Sequence, residues 1–250
     1  MDIWQHVDGV RHLRALSGSL VRVVESQEQV ATSRLVDTLS EQARLEELLE
    51  QAKPPYRRGT ERLHYLLATP FRYPPLRHGS RFGTRQEPGL FYGSSAAPTA
   101  FAEAAYYRFL FWRDMQAPPP AGRFLTQHTL FGARYRTGNG IQLQARPFSG
   151  YRARLASPVD YSDTQRLGRS MRAAGVEAFE YASARDSKGG INVALFEPRA
   201  LSSRKPLFTQ SWLCETRADN VLLSNARDGA QYAFGIEEFL VEGRFPRAAD

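Results

Sequence analysis

Between Phe71 and Glu103 the chain gathers the residue types that grip a phosphorylated ligand carrying a flat ring. The segment FRYPPLRHGSRFG offers Arg72, Arg77 and Arg81 within ten residues, interleaved with Phe71, Tyr73 and Phe82, and its glycines allow close backbone approach. Arginine forks hold phosphate oxygens two at a time, while aromatic rings stack on a base such as nicotinamide or adenine. Taken from composition alone, a basic surface loop with anchoring aromatics accounts for the segment better. Glu103 could pair with Arg108, and Tyr92 could be a core residue whose hydroxyl is satisfied by backbone.

Other chemistries are excluded by what the sequence lacks. It has no GxxxxGK[ST] loop, no GxGxxG after a strand, no HExxH and no cysteine pair at metal spacing, so P-loop, Rossmann and zinc mechanisms are not expected, and no metal is expected. The five histidines are scattered, with no i, i+4 pair. A single cysteine, Cys214, rules out an intramolecular disulfide framework and fits a reducing, cytoplasmic setting. The first residues, MDIWQHVDGVRHLR, have no apolar stretch of signal-peptide length, and no apolar run approaches the ~20 residues that span a bilayer. The formal charge of +7 is carried mostly by arginine. A GC-rich genome explains part of that bias; the rest points to an anionic ligand, an acidic partner or nucleic acid.

The run FRYPPLRHGSRFG followed by GLFYGSSAAPTAFAEAAYYR resembles the RES domain, a family named for an arginine, a glutamate and a serine. The matching positions are Arg72 with Tyr73, then Gly79-Ser80-Arg81-Phe82, then Tyr92, and eleven residues later Glu103. Downstream, EYASARD resembles the serine-bearing strand with Ser183 as the serine, although Ala182 stands where proline is frequent. Ser162, just before a helix, is a second candidate, for which helix capping is the simpler role. The resemblance covers roughly residues 64 to 200 well and the C-terminal strands loosely. It implies a fold related to ADP-ribosyltransferases and cleavage of the nicotinamide–ribose bond of NAD+, the substrate, with inorganic phosphate or water as acceptor or with transfer of ADP-ribose to a protein. It assigns catalysis to Glu103, Arg72, Tyr92 and Ser183, and NAD+ binding to Arg72, Tyr73, Arg81, Tyr92 and Ser162. It also implies an antitoxin partner with an Xre-like helix-turn-helix that covers the cleft.

The elements that must hold these residues follow from periodicity. Residues 27 to 53 repeat leucine at helical spacing, at Leu35, Leu39, Leu45, Leu48 and Leu49, and are stopped by Pro54 and Pro55. A boundary near residue 60 separates an N-terminal helical extension, 1–60, from a RES-like body, 61–250. Within the extension, SLVRVVES reads as a short strand, and the helix either packs on the body as added core, the preferred reading, or presents its leucines to a partner. In the body, LHYLLAT and GLFYG read as strands and TAFAEAAYYRFLFW as a buried helix. FLTQHTLFGARY and IQLQA read as strands, and SDTQRLGRSMRAAG as a helix capped by Ser162 or Asp163 and ended by Gly175. VEAFEYAS, GINVALFEP, SWLCET, NVLLS and FLVEG complete the strands. The fold class is α+β, a strand-rich mixed sheet with packed helices, ADP-ribosyltransferase-like. The basic loops KPPYRRGTER and GARYRT motivate a noncatalytic nucleic-acid module as a third function, but no recognisable binding module accompanies them, so direct nucleic-acid binding is not expected.

Overall fold

A computed structural model describes residues 2–26, 36–75 and 79–247. Its centre is one mixed sheet of eight strands in the order β1-β2-β5-β4-β3-β6-β7-β8, in which β1 also pairs with β3. That extra pairing closes the first five strands in the order into a ring, with β6 to β8 as an attached wing. β1 (Arg14–Glu25) runs antiparallel along β3 (Phe124–Gln142) from Leu16↔Thr137 to Glu25↔His128. β2 (Phe91–Ser94) and β5 (Ile191–Leu195) pair antiparallel, β5 pairs antiparallel with β4 (Ala178–Ala182), and β4 joins β3 in parallel. β6 (Phe208–Thr216), β7 (Asn220–Ser224) and β8 (Gln231–Gly235) extend β3 as an antiparallel meander. The mixed strand-rich expectation is met.

Period-two alternation fills the ring. Leu16 and Leu20 of β1, Phe91 of β2, Phe131, Ala133 and Tyr135 of β3, Ala178 of β4, and Val193 and Leu195 of β5 form one buried cluster. Burial of each of the larger side chains contributes about 1.5–3 kcal/mol. One end of this interior is plugged by α3 (Tyr65–Arg72), whose Leu66, Leu67 and Phe71 join the cluster. The strand expected at LHYLLAT is therefore a helix. Its apolar residues recur at helical rather than alternating spacing, and the His64 side chain accepts from Leu66 N–H at its start. α4 (Ala97–Asp114) covers the other face of β1, β3 and the wing, and α6 (Ser162–Ala173) packs on β4 and β5. α6 ends in paired bonds, Val176 N–H to Met171 O and Gly175 N–H to Arg172 O, with Gly175 at φ +76° as the expected stop.

Several sequence expectations shift. The short helix α1 (Ile3–His6) packs on α6, and β1 is a full member of the ring, so the division near residue 60 is not a division of the sheet. The N-terminal helix is observed as α2 (Leu39–Ala52), opened by a Thr38/Glu41 capping box; residues 27–35 lie outside the described part. No residue of α2 is buried, and Leu39, Leu48 and Leu49 are exposed, so the helix is not added core. FLTQHTLFGARY runs on as one continuous strand into the first two residues of IQLQA, and Leu143–Ala145 turn away from it. FLVEG holds no strand; β8 lies earlier, at QYAFG, and runs into a 3-10 turn at Ile236–Phe239. Short helical segments at Phe148–Tyr151 and α5 (Arg152–Leu155) precede α6. Among the described residues no helix is long and apolar enough to cross a membrane.

Candidate active site

The ring is nearly open at one place. β1 and β2 share a single register pair, Val21↔Ser94, so the two strands splay and leave a notch in the wall. Arg22, in the middle of the β-branched run LVRVV, fills it. Its Nη1 donates to the Tyr92 carbonyl at 2.5 Å, its guanidinium lies 5.4 Å from the Phe91 ring centre, and its Nε is buried with no hydrogen-bond partner. Burial pulls its pKa below the usual arginine value. Such a donor is an expense to the fold unless a ligand satisfies it.

Two adjoining lobes open beside this notch. One, of about 270 Å3, is lined by Arg22, Arg81, Tyr92, Glu103, Tyr181 and Asn192 among others. The second, of about 290 Å3, is walled by Pro70, Tyr73, Pro74, Pro75 and Leu90. Arg22, Ser80, Tyr92, Tyr107 and Tyr161 line both. Jointly the lobes fall within the range of roughly 300–1,000 Å3 typical of small-ligand sites.

Glu103 stands in the second turn of α4, after a start with Pro98 in the first turn. Small residues around it, Ala100 and Ala104, leave room for the cleft. Its Oε1 accepts from Ser183 Oγ and from Asn192 Nδ2, both at 2.6 Å. Each donor is itself fixed. Ser183 Oγ accepts from the backbone N–H groups of Arg185 and Asp186 at 3.0 Å each, so its one proton is directed at Glu103. Asn192 Oδ1 accepts from Ser94 Oγ at 2.7 Å, which turns the amide nitrogen toward Glu103. With Oε1 occupied twice, Oε2 has no protein donor among the described residues. The close approach of α4 to this corner depends on Gly190, where a Cβ would stand 2.0 Å from Thr99 Oγ1.

Arg81 is carried on a tight turn in which Ser80 and Gly83 pair, with Gly79 at φ +79°. Tyr92 clamps that turn. Phe82 N–H donates to its hydroxyl at 3.1 Å, and because Ser80 Oγ donates to Gly83 O, the Tyr92 hydroxyl proton is directed at Ser80 Oγ, 3.0 Å away. Burial raises the Tyr92 pKa, keeping that proton in place. Arg81 is 9% exposed; its Nη1 donates to Ser157 O at 2.8 Å, and its guanidinium lies 4.4 Å from the Tyr161 ring centre. On the far side α6 presses against the turn at Gly168, where a Cβ would meet Phe82 O at 2.2 Å.

Of the residues singled out in the sequence, Arg81, Tyr92 and Glu103 line the first lobe, Tyr73 lines the second, and Ser183 touches Glu103 from behind. Two do not join them. Arg72 donates from Nε to Pro54 O at 2.5 Å and from Nη1 to Glu50 at 2.6 Å, and stacks on Tyr56; α2 and the proline loop hold it away from the cleft. Ser162 is exposed and bonded through N–H and Oγ to Asp160, and it caps nothing, since the helix N-cap is Tyr161. Arg77 lies outside the described residues. Glu103 does not pair with Arg108, which is taken by Glu25 at 2.8 Å. Sequence reasoning missed Arg22, Asn192, Tyr161 and Tyr181. Only Arg22 carried a local signal, a lone arginine inside a β-branched strand. Among the described residues no group of three or more His, Cys, Asp and Glu is placed to hold a metal ion.

Comparison with known proteins adds the family. Among solved structures the chain is similar to the crystal structure of the M. tuberculosis MbcT-MbcA toxin-antitoxin complex, at 14% identity and a TM-score of 0.49, over 83% of this chain and 90% of that one. No curated protein sequence matches it. Residues 54–217 match the family model of the RES domain, a span that includes Arg81, Tyr92, Glu103, Ser183 and Asn192 but not Arg22. The chain belongs to the RES domain family.

Proposed function

We propose that this protein is an NAD+-degrading toxin of a toxin–antitoxin pair, cleaving the nicotinamide–ribose bond with phosphate or water as acceptor. The observation that carries the reading is Glu103: a carboxylate with one oxygen held by two fixed donors, on a side chain that lines a two-lobed cleft containing two arginines. The first lobe takes the nicotinamide riboside half of NAD+. The Pro70–Pro75 lobe, with Tyr73, takes the adenosine half, and the pyrophosphate lies at the shared waist against Arg22 and Arg81. Departure of nicotinamide leaves an oxocarbenium-like ribose, and Glu103 Oε2 stabilises that charge or orients the incoming nucleophile. Ser183 and Asn192 position Glu103, and Tyr92 positions Arg81. The tyrosine rings of the first lobe flank the nicotinamide.

The partner that silences such an enzyme is an antitoxin of helix-turn-helix type covering the cleft, and the working compartment is the cytoplasm. The fold relation expected is to ADP-ribosyltransferases. Protein ADP-ribosylation is the second reading; the half-exposed Tyr107 at the waist leaves the cleft open to a protein side chain. Purified protein is incubated with NAD+, with and without inorganic phosphate, and free nicotinamide and the ADP-ribose product are quantified. Nicotinamide release is expected, and a phosphorylated product appears only if phosphate is the acceptor. Radiolabel moving from NAD+ to protein in a lysate selects the second reading. Absence of nicotinamide release in every condition, from folded protein, overturns both.

A further inference from the structure

At the other end of β1 from Arg22, about 26 Å away at the usual strand rise, the chain forms a second concavity of about 200 Å3. One wall is the 3-10 turn Gly9–His12 and the start of β1; the other is the segment from Gln142 to Phe148. Its mouth carries Arg11, Arg14 and Arg146, with His12 beside them, and its floor is the buried Phe148 ring. None of the residues of the candidate active site lines it.

The charges in this cleft are poorly balanced. Arg14 donates to a neutral acceptor, Gln142 Oε1, at 2.7 Å, and Arg146 has no carboxylate within ion-pair distance among the described residues. Arg11 pairs with Asp8 at 2.6 Å in an exposed contact that water and salt weaken. The carboxylate behind Gln142 is already committed: Glu180 accepts from Tyr135, Gln142 and Gln144 at 2.7, 3.0 and 2.8 Å. The same bond fixes the Gln142 amide so that its oxygen faces Arg14. Arg136 and Arg134, exposed on β3 opposite Ser17 and Ser19, point to the other face of the β1–β3 ladder from Arg14 and take no part in the cleft. A concave site carrying three guanidinium groups, of which only Arg11 has a carboxylate partner, repels itself when empty and matches the oxygens of a phosphate group when filled.

We propose that this cleft is a second phosphate-binding site, separate from the Glu103 cleft, which takes either a small phosphate compound or a phosphodiester of a nucleic-acid backbone. Arg14 and Arg146 clasp the phosphate. The absence of an exposed aromatic ring around it among the described residues means that backbone, not base, is recognised in the second case.

The test uses the full chain and two probes. Trp4 stacks 6.1 Å from Phe148, so its emission reports on the cleft floor as inorganic pyrophosphate is added; a fluorescein-labelled short DNA duplex is followed by anisotropy. The double variant Arg14→Ala/Arg146→Ala is expected to weaken the bound probe by roughly tenfold or more, the loss of two charge-assisted contacts, and to keep nicotinamide release. Arg14→Lys/Arg146→Lys, which keeps charge without the forks and safeguards folding, is expected to lie between. If pyrophosphate alone loses affinity, the ligand is a small phosphate compound; if the duplex loses affinity and pyrophosphate competes with it, the ligand is a nucleic-acid backbone. If the double variant binds both probes as tightly as the parent, or the parent binds neither, the proposal is wrong, whatever the outcome of the NAD+ assay.

Discussion

Replacing Ser183 with alanine separates holding Glu103 from merely filling space behind it. The hydroxyl makes three contacts in a spot only 6% exposed: it donates to Glu103 Oε1 at 2.6 Å and accepts from two backbone N–H groups at 3.0 Å. Alanine leaves both N–H groups orphaned, and an unsatisfied buried donor costs about 1–3 kcal/mol. Allowing for partial relaxation, Ser183→Ala should lower stability by about 2–4 kcal/mol, and Tm by roughly 5–15 °C for a chain of this size. That is survivable against a typical total of about 5–15 kcal/mol. The catalytic loss is a separate quantity. A hydrogen bond to a charged group contributes about 1.5–3 kcal/mol, and if it acts in the transition state kcat falls by about 10- to 150-fold with KM little changed, because the arginines that bind the pyrophosphate are untouched. Nicotinamide release gives both constants, and thermal melting shows that the variant is folded. A folded Ser183→Ala protein with parental kcat would remove the argument that Glu103 works from a fixed position.

Four further outcomes follow from contacts described above. In Asn192→Asp a carboxylate replaces the amide donor 2.6 Å from Glu103, so the two acids must share a proton at neutral pH, and nicotinamide release should collapse and change its pH profile; an unaltered profile refutes the contact. Arg72→Ala should leave kcat and KM at parental values while Arg81→Ala abolishes turnover, since only Arg81 lines the cleft; equal losses would reinstate Arg72 as a ligand. Burial first, and Arg108 second, push the His128 pKa down to about 4, so the unfolded chain binds the extra proton between that value and the ordinary 6.5. Stability should therefore be complete above pH 6.5 and fall by about 2–3 kcal/mol as pH drops toward 4, a slope that urea melts should find flattened in His128→Gln. Gly168→Ala drives a methyl group into Phe82 O, so it should cost about 1–3 kcal/mol and lower activity by shifting the turn that carries Arg81; parental melting and turnover would show the contact to be slack.

What could be read from the sequence is what short-range patterns encode. Tyr92 and Glu103 sit on a strand and the helix that follows it, and that local order, with Pro98 at the helix start, was visible without any tertiary knowledge. Ser183 was visible for the same reason, at the end of an alternating strand. The errors share a different cause. LHYLLAT is too short for its own apolar residues to declare a period; only with Phe71, beyond its end, does the helical spacing appear, and the His64 side chain accepts from Leu66 N–H at the start of that helix. Arg72 has the right neighbours but is captured by Glu50, a residue on a separate helix. Arg22 and Asn192 enter the site from strands distant in sequence, brought together by a sheet order that hydrophobic pattern alone does not specify. FLVEG was mistaken for the last strand because its apolar residues resemble one, whereas QYAFG, which has the pairing partner, does not stand out.

The single register pair between β1 and β2 also governs when the protein becomes dangerous under the proposed activity. The cleft draws Arg22 from near the beginning of the chain and Asn192 from beyond its midpoint, and β5, which carries Asn192, is the strand that bonds β2 into the ring. Such long-range closure is the slow part of folding. A ribosome that has made residues 1 to 190 has produced Arg81, Tyr92, Glu103 and Ser183, yet lacks β5, the strand along which all four residues of β2 pair, and the second donor to Glu103. Premature release therefore leaves the cleft without Asn192 and its wall strand, so that under the proposed function an inhibitor is needed only once β5 has emerged.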